Sequence, residues 1–62
     1  MKEQLKALGY TQKYSETHNN FYYELEDVKI WDTPNGLMYM DTGIQITSIG
    51  QLERLNIEFF GE

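Results

Sequence analysis

The sequence contains no cysteine, which excludes disulfides, thiolate zinc sites and a thiol nucleophile. A chain of 62 residues forms one small domain, residues 1–62, and buries only about 60% of its unfolded surface. Packing alone must hold the fold, at a net stability of roughly 3–5 kcal/mol unless a partner adds burial. The lack of cysteine suits a reducing compartment, and we predict a cytoplasmic protein.

Long apolar runs and catalytic motifs are also missing. The longest apolar run, residues 37–40, is far too short to span a membrane, and residues 1–15 lack the apolar centre of a signal peptide. The sequence has no glycine-rich phosphate loop, zinc-ligand spacing, nucleophile elbow or basic stripe. We therefore predict that the protein is not an enzyme and has no catalytic residue, metal site or cofactor.

Negative charge is what the sequence has in excess: ten acids face five bases, for a formal net charge of −5. The first 20 residues hold three lysines and two glutamates, a net of +1, whereas residues 21–62 hold eight acids, one lysine and one arginine, a net of −6. An acidic body repels phosphate backbones, so direct nucleic-acid binding is disfavoured and a partner with a basic surface is favoured. Aromatic residues make up 15% of the chain, too many for a disordered acidic protein.

The N-terminal segment has the spacing of a short helix. Residues 2–8 place Leu5 and Leu8 on one face and are filled with strong helix formers. Gly9 can take the left-handed conformation that ends a helix, after which Tyr10 can fold back onto the apolar stripe.

A second helix begins near the C-terminus. Ser48 and Gln51 have the spacing of a capping box. The end of this helix is ambiguous. Residues 57–60 either continue it, with Gly61 as the cap, or form a closing strand after an Asn56 cap, and their alternation favours the strand.

The intervening chain alternates in the manner of β-strands. Residues 10–15 predict an edge-like strand and residues 44–46 a short last strand. Residues 21–32 are too long for one flat strand. A bulge or bend at Glu26 and Asp27 would keep them together, and two strands joined by a tight turn is the alternative.

Residues 28–41 predict the central β-hairpin. Pro34 presets the φ angle of a turn residue and Gly36 can take a positive φ, which favours a three-residue loop over residues 34–36. That register produces one aromatic, one oppositely charged and one apolar pair: Trp31 with Tyr39, Lys29 with Asp41, and Ile30 with Met40. A two-residue loop, with Trp31 opposite Met38 and Val28 opposite Asp41, gives a poorer set.

The predicted fold is α+β: a small three- to four-stranded antiparallel meander with short N- and C-terminal helices, packed on one face. The predicted core consists of Leu5, Leu8, Tyr23, Leu25, Val28, Ile30, Met38, Met40, Ile44, Ile46, Leu52 and Leu55.

Two groups of side chains are candidates for partner binding. The acids Glu24, Glu26 and Asp27 form either a solvated face or a contact surface for a basic partner, and alternation puts the two glutamates on one face. Trp31 and Tyr39 lie opposite the predicted core, either under the N-terminal helix or exposed as a partner or homodimer patch. The candidate partner-binding residues are Glu24, Glu26, Asp27, Trp31, Asp32, Tyr39 and Asp41.

Four segments resemble small acidic orphan proteins of phages and other mobile elements: LKALGY at residues 5–10, FYYEL at 21–25, YMDTGIQITS at 39–48 and QLERL at 51–55. Proteins of that kind often inhibit host-defence machinery stoichiometrically, and acidic ones often occupy nucleic-acid-binding sites on their targets. The resemblance implies an inhibitor of the anti-defence type, and it assigns no site residue.

The leading hypothesis is a small acidic non-enzymatic protein that binds and inhibits a larger nucleic-acid-handling or host-defence protein. Its acids would steer association, and Trp31 and Tyr39 would be the buried anchors. The alternatives are a homodimer or higher homo-oligomer that binds a nucleotide or metabolite between subunits, and a structural accessory subunit.

Overall fold

A computed structural model of the chain describes residues 1–61. Its elements in chain order are α1 (Lys2–Ala7), β1 (Thr11–Ser15), β2 (Asn20–Leu25), β3 (Val28–Thr33), β4 (Gly36–Tyr39), β5 (Ile44–Ile46) and α2 (Ile49–Phe60). The strands form one antiparallel sheet in the order β1-β2-β3-β4-β5. The predicted α+β meander is confirmed, but the sheet has five strands rather than three to four, because residues 21–32 divide into β2 and β3.

Both helices contribute to one core. Leu5 of α1 and Leu52 of α2 are buried in a single cluster with the strand residues Tyr23, Ile30 and Tyr39. Neither helix of residues 1–61 packs against the opposite side of the sheet, and we call that side the open face. This two-layer arrangement decides which strand residues are inside and which face outward.

A two-residue turn separates β2 from β3. Leu25 pairs with Val28, so the second of the two predicted solutions, a tight turn, is the observed one. Glu26 takes a φ of +54° in this turn. A non-glycine residue at such an angle costs on the order of 1 kcal/mol, which the two flanking strands must offset.

The predicted register of the β3–β4 hairpin is wrong by one residue. Thr33 pairs with Gly36 across a two-residue loop, and Trp31 therefore lies opposite Met38, not Tyr39. Gly36 has a φ of +121°, and the Thr33 hydroxyl donates to its carbonyl oxygen at 2.7 Å. Lys29 lies opposite Met40, whose N–H donates to the Lys29 carbonyl oxygen at 2.8 Å, rather than opposite Asp41.

Core packing explains why this register prevails. A slip of one residue moves every side chain of a strand to the other face. The observed pairing puts Leu37 and Tyr39 on the helix side, opposite Ile46 and Ile44 of β5. The buried Tyr39 hydroxyl donates to the Asn56 side-chain oxygen at 2.6 Å, which satisfies a phenol that burial would otherwise penalise.

The same register corrects the predicted core. The residues found buried as predicted are Leu5, Tyr23, Val28, Ile30, Ile46, Leu52 and Leu55, and Leu25, Met40 and Ile44 are partly buried against them. The buried residues that the prediction omitted are Tyr10, Leu37 and Tyr39. Met38 was placed in the core wrongly, since it pairs with Trp31 on the open face.

Helix α1 ends much as predicted. Gly9 has a φ of +104°, and the Tyr10 N–H then donates to the Leu5 carbonyl oxygen at 3.0 Å. Tyr10 is buried after this turn. Leu8, however, is 48% exposed, because it is the C-cap residue beyond the last helical residue.

Helix α2 begins at the predicted Ser48 cap and ends differently from the prediction. The predicted capping box is half formed, because the Gln51 side-chain oxygen accepts from the Thr47 N–H and not from the Ser48 N–H. The Ser48 hydroxyl accepts from the Gln51 N–H at 3.2 Å. The favoured strand at residues 57–60 is wrong, because the helix continues to a left-handed Gly61 whose N–H donates to the Ile57 carbonyl oxygen. Helical spacing lets Asn56 reach the Tyr39 hydroxyl. Neither helix within residues 1–61 is long and apolar enough to cross a membrane.

Replacing Tyr39 with Phe tests this packing. Loss of the hydroxyl leaves the Asn56 oxygen without its partner, so we expect a loss of about 1 kcal/mol in the free energy of unfolding, measured in urea. Tyr14→Phe is the matched control, because Tyr14 is half exposed and its hydroxyl bond to Asn19 is long at 3.3 Å. Equal effects of the two substitutions would contradict the buried position of Tyr39.

Candidate partner-binding surfaces

The predicted partner-binding residues do not form one surface. Trp31 and Glu24 lie on the open face, and Glu26 and Asp27 form the β2–β3 turn. The prediction that Glu24 and Glu26 share a strand face is wrong, because Glu26 is a turn residue at positive φ.

Two predicted contact residues are occupied elsewhere. Asp32 forms an ion pair of 2.8 Å with Lys2, which ties α1 to β3. Tyr39 has no exposed surface, so it cannot anchor a partner. Burial raises the pKa of the Tyr39 phenol, and the nearby Tyr10 raises this pKa further. Trp31 and Tyr39 therefore do not form the predicted exposed patch.

An aromatic row runs along the open face. The Trp31 ring lies 4.7 Å from the His18 ring and 4.9 Å from the Tyr22 ring, between centroids. Lys29 Nζ lies 5.3 Å from the centre of the Tyr22 ring, within cation–π range. Trp31 and Tyr22 are half-buried, so the row keeps part of its surface available for contact.

The open face is less acidic than the composition predicts. Lys13 and Lys29 lie on it with Glu24, according to the strand register. Lys13 Nζ donates to Glu24 Oε1 at 2.7 Å, and this hydrogen bond lowers the pKa of Glu24 and raises the pKa of Lys13. A basic partner is therefore not the natural complement of the open face.

A small cleft of about 180 Å³ lies at one end of the aromatic row. Trp31 and Met38 supply its apolar part, and Asp41 is the one carboxylate among its lining residues. Its volume is below the roughly 300 Å³ at which small-molecule sites usually begin. The cleft suits a single inserted side chain better than a cofactor.

An open pocket of about 430 Å³ lies where the β2–β3 turn meets the end of α2, and we call it the hairpin-end pocket. Its lining residues are Tyr10, Leu25, Glu26, Asp27, Val28, Asn56 and Phe60. Two turns and a helix bring these residues together. The left-handed Gly9 positions Tyr10, the β2–β3 turn presents both acids, and α2 carries Asn56 and Phe60.

The charged residues that line the hairpin-end pocket are all acidic. Two of its lining residues are carboxylates and none is basic. The ion pairs found within residues 1–61 use other carboxylates, those of Asp32 and Glu24. The last turn of α2 also has no basic residue, and the carbonyl groups at a helix C-terminus carry partial negative charge.

Exposed apolar side chains surround the C-terminal end of α2. Ile57, Phe59 and Phe60 are 56%, 46% and 43% exposed. One residue of this surface could be identified from the sequence, since Ile57 lies off the apolar stripe of a helix that runs to residue 60. Because a strand was favoured at residues 57–60, the sequence analysis did not place Tyr10, Asn56 and Phe60 at a common pocket.

Within residues 1–61, no group of three or more His, Asp or Glu side chains is placed to hold a metal ion. Comparison with protein-family models, curated proteins and solved structures finds no match to this chain.

The Lys13–Glu24 pair predicts a pH dependence. Because the pKa of Glu24 is lowered by folding, its contribution to stability is present above the ordinary glutamate pKa and is lost as the pH falls through the lowered value. We expect Glu24→Gln to destabilise the protein at neutral pH and to match the parent in acid. Urea unfolding across this pH range measures the difference.

Glu16→Gln is the control for this titration, since Glu16 is exposed and forms neither of the ion pairs found in residues 1–61. NMR titration of the Glu24 carboxyl gives a direct check. A midpoint at or above the ordinary glutamate value would show that the pair does not form in solution.

Proposed function

We propose that the protein is a small, non-enzymatic interaction protein that binds a larger protein partner with a basic surface. The observation that carries the proposal is the hairpin-end pocket, in which Glu26 and Asp27 face no basic side chain beside the exposed end of α2. Carboxylates next to exposed aromatic rings match an arginine- or lysine-rich surface, because such side chains combine charge with apolar stems.

Electrostatic steering would raise the association rate, and apolar contact would stabilise the bound complex. A net charge of −5 raises the rate of encounter with a basic surface, and this effect weakens as salt is added. Phe59 and Phe60 supply contact area that water would leave on binding, and large aromatic side chains are common among interface hot spots. The acids would set the partner and orientation, while the aromatic rings would set the lifetime of the complex.

An inhibitory role is proposed because basic surfaces are typical of proteins that bind nucleic acids. Proteins that handle nucleic acids carry arginine and lysine patches that neutralise phosphates. An acidic protein bound to such a patch excludes the nucleic acid by occupancy and by charge repulsion. We therefore propose a cytoplasmic inhibitor of a nucleic-acid-handling or host-defence protein, in keeping with the resemblance to small proteins of mobile elements.

Trp31 and the open face have a secondary place in this proposal. The half-buried indole, with Tyr22 beside it, offers a second contact surface to a partner large enough to reach around the sheet. Glu24 and Asp32 each have a lysine partner already, so we assign them no direct contact.

Affinity capture from host lysate tests the proposal with three immobilised proteins. The test variant carries Glu26→Gln and Asp27→Asn. The matched control carries Glu16→Gln and Glu53→Gln, which removes the same charge from two other exposed sites. We expect the parent and the control to retain the same basic protein, and the test variant to lose most of it.

The captured protein then provides the functional check. We expect the parent to displace nucleic acid from it at a stoichiometric ratio, and the Glu26→Gln, Asp27→Asn variant to fail. Equal retention by the two variants would contradict a role for the pocket. A captured protein that binds no nucleic acid would contradict the inhibitory role while leaving the interaction in place.

A further inference from the structure

The two edges of the sheet are treated differently. At β5, the Gln45 carbonyl oxygen accepts from the Gln51 side-chain amide at 3.0 Å, and the Thr47 N–H donates to the oxygen of that amide at 2.8 Å. One glutamine of α2 thus satisfies backbone groups along this short edge. Such covering is one way in which proteins prevent edge strands from pairing with other chains.

At the other edge, β1, the alternation of hydrogen bonds across the sheet shows which backbone groups point outward. The Met40 N–H donates to the Lys29 carbonyl oxygen. The backbone N–H and C=O groups of Lys29 and Trp31 therefore point toward β4, and those of Ile30 point toward β2. Antiparallel strands alternate bonded and non-bonded pairs, so Tyr23, opposite Ile30, bonds toward β3.

The same alternation continues into the edge strand. Tyr22 and Glu24 bond toward Lys13 and Thr11 of β1. The remaining residues of β1, Gln12 and Tyr14, therefore point their N–H and C=O groups away from the sheet. Both residues are exposed, and no side chain within residues 1–61 is found bonded to these groups.

Two exposed aromatic rings lie beside this edge on the helix side of the sheet. Tyr14 and Phe21 are a cross-strand pair with ring centroids 5.0 Å apart, and they are 50% and 48% exposed. Neither belongs to the buried core cluster. An added strand would cover one flank of this pair.

We propose that β1 pairs with β1 of a second copy of this chain, antiparallel and with the twofold axis at Lys13. In this register Gln12 lies opposite Tyr14 of the second copy, and Tyr14 opposite its Gln12. These are the residues whose backbone groups point outward, so each pair exchanges both of its N–H···O bonds. The result is one continuous sheet across the dimer, with four exposed rings grouped at the seam.

This register is self-complementary within the strand itself. Centring the axis on Gln12 or Tyr14 instead would leave only one pair of outward residues facing each other inside β1. The axis at Lys13 uses every outward group of the five-residue strand. A symmetric contact of this kind, the same patch on both copies, is the commonest form of soluble dimer.

Charge limits the strength of the dimer. Lys13 faces Lys13 of the second copy on the open face, and like charges directly opposite each other are unfavourable. Glu24 offsets each lysine at 2.7 Å, so the seam carries two acids and two bases. The net charge of −5 on each copy also opposes association. We therefore expect a weak dimer that forms at high protein concentration and strengthens with salt.

Sedimentation equilibrium over a concentration series tests the proposal with proline as the probe. Gln12→Pro removes an outward N–H without taking a bond from the β1–β2 ladder, and proline is tolerated at edge strands. Gln45→Pro is the matched control, because it makes the same change at the other edge. We expect the parent and Gln45→Pro to dimerise, and Gln12→Pro to remain monomeric with unchanged far-UV circular dichroism.

The double variant Lys13→Thr, Glu24→Gln keeps the test decisive if the parent dimer is too weak to detect. It removes the facing lysines together with their acidic partners, so the net charge stays at −5 and no carboxylate at the seam loses its partner. Loss of the unfavourable Lys13–Lys13 pair should tighten the dimer by up to about fivefold. A double variant that stays monomeric at the highest concentration reached would overturn the proposal. So would a dimer that survives Gln12→Pro and is lost in Trp31→Ala, because the open face would then be the interface.

Discussion

The pairing of Thr33 with Gly36 is the constraint on which the rest of the structure depends. It limits the β3–β4 loop to two residues, and the two-residue period of the strands then carries that choice to every side chain of β4. Leu37 and Tyr39 turn inward to Ile46 and Ile44, and the Tyr39 hydroxyl connects the sheet to α2 through Asn56. Trp31, next to the buried Ile30 in β3, faces the opposite side of the sheet from Tyr39.

Much of the fold could be predicted from local sequence chemistry. The left-handed Gly9, the Ser48 cap, the edge strand and the turn at residues 26 and 27 depend on neighbouring residues, and each was predicted or held as an alternative. The hairpin register could not be settled this way, since both loops suit Pro34 and Gly36. The two loops differ in whether Tyr39 is buried against α2 and β5. Matching residue pairs across β3 and β4 alone does not take that burial into account.

The candidate sites show the same division. The acidic character of the β2–β3 turn is visible in the sequence, but its position against α2 depends on the helix continuing to Phe60. Local alternation at residues 57–60 favoured a strand, whereas the observed helix buries Leu52 and Leu55 and brings Phe59 to within 5.5 Å of Tyr39, between ring centroids. Three surface features result: an acidic pocket, an aromatic open face, and the unpaired β1 edge that borders the open face at Lys13.

The most direct test of this account is the hairpin register measured by NMR. Ile30 and Tyr39 form a pair that is not hydrogen-bonded between β3 and β4, so their Hα atoms should be close and give a strong cross-strand NOE. Asp32 and Leu37 should give a second such NOE. An Hα–Hα NOE between Ile30 and Met40, or between Trp31 and Tyr39, would instead place the indole and the phenol on one face and contradict the account.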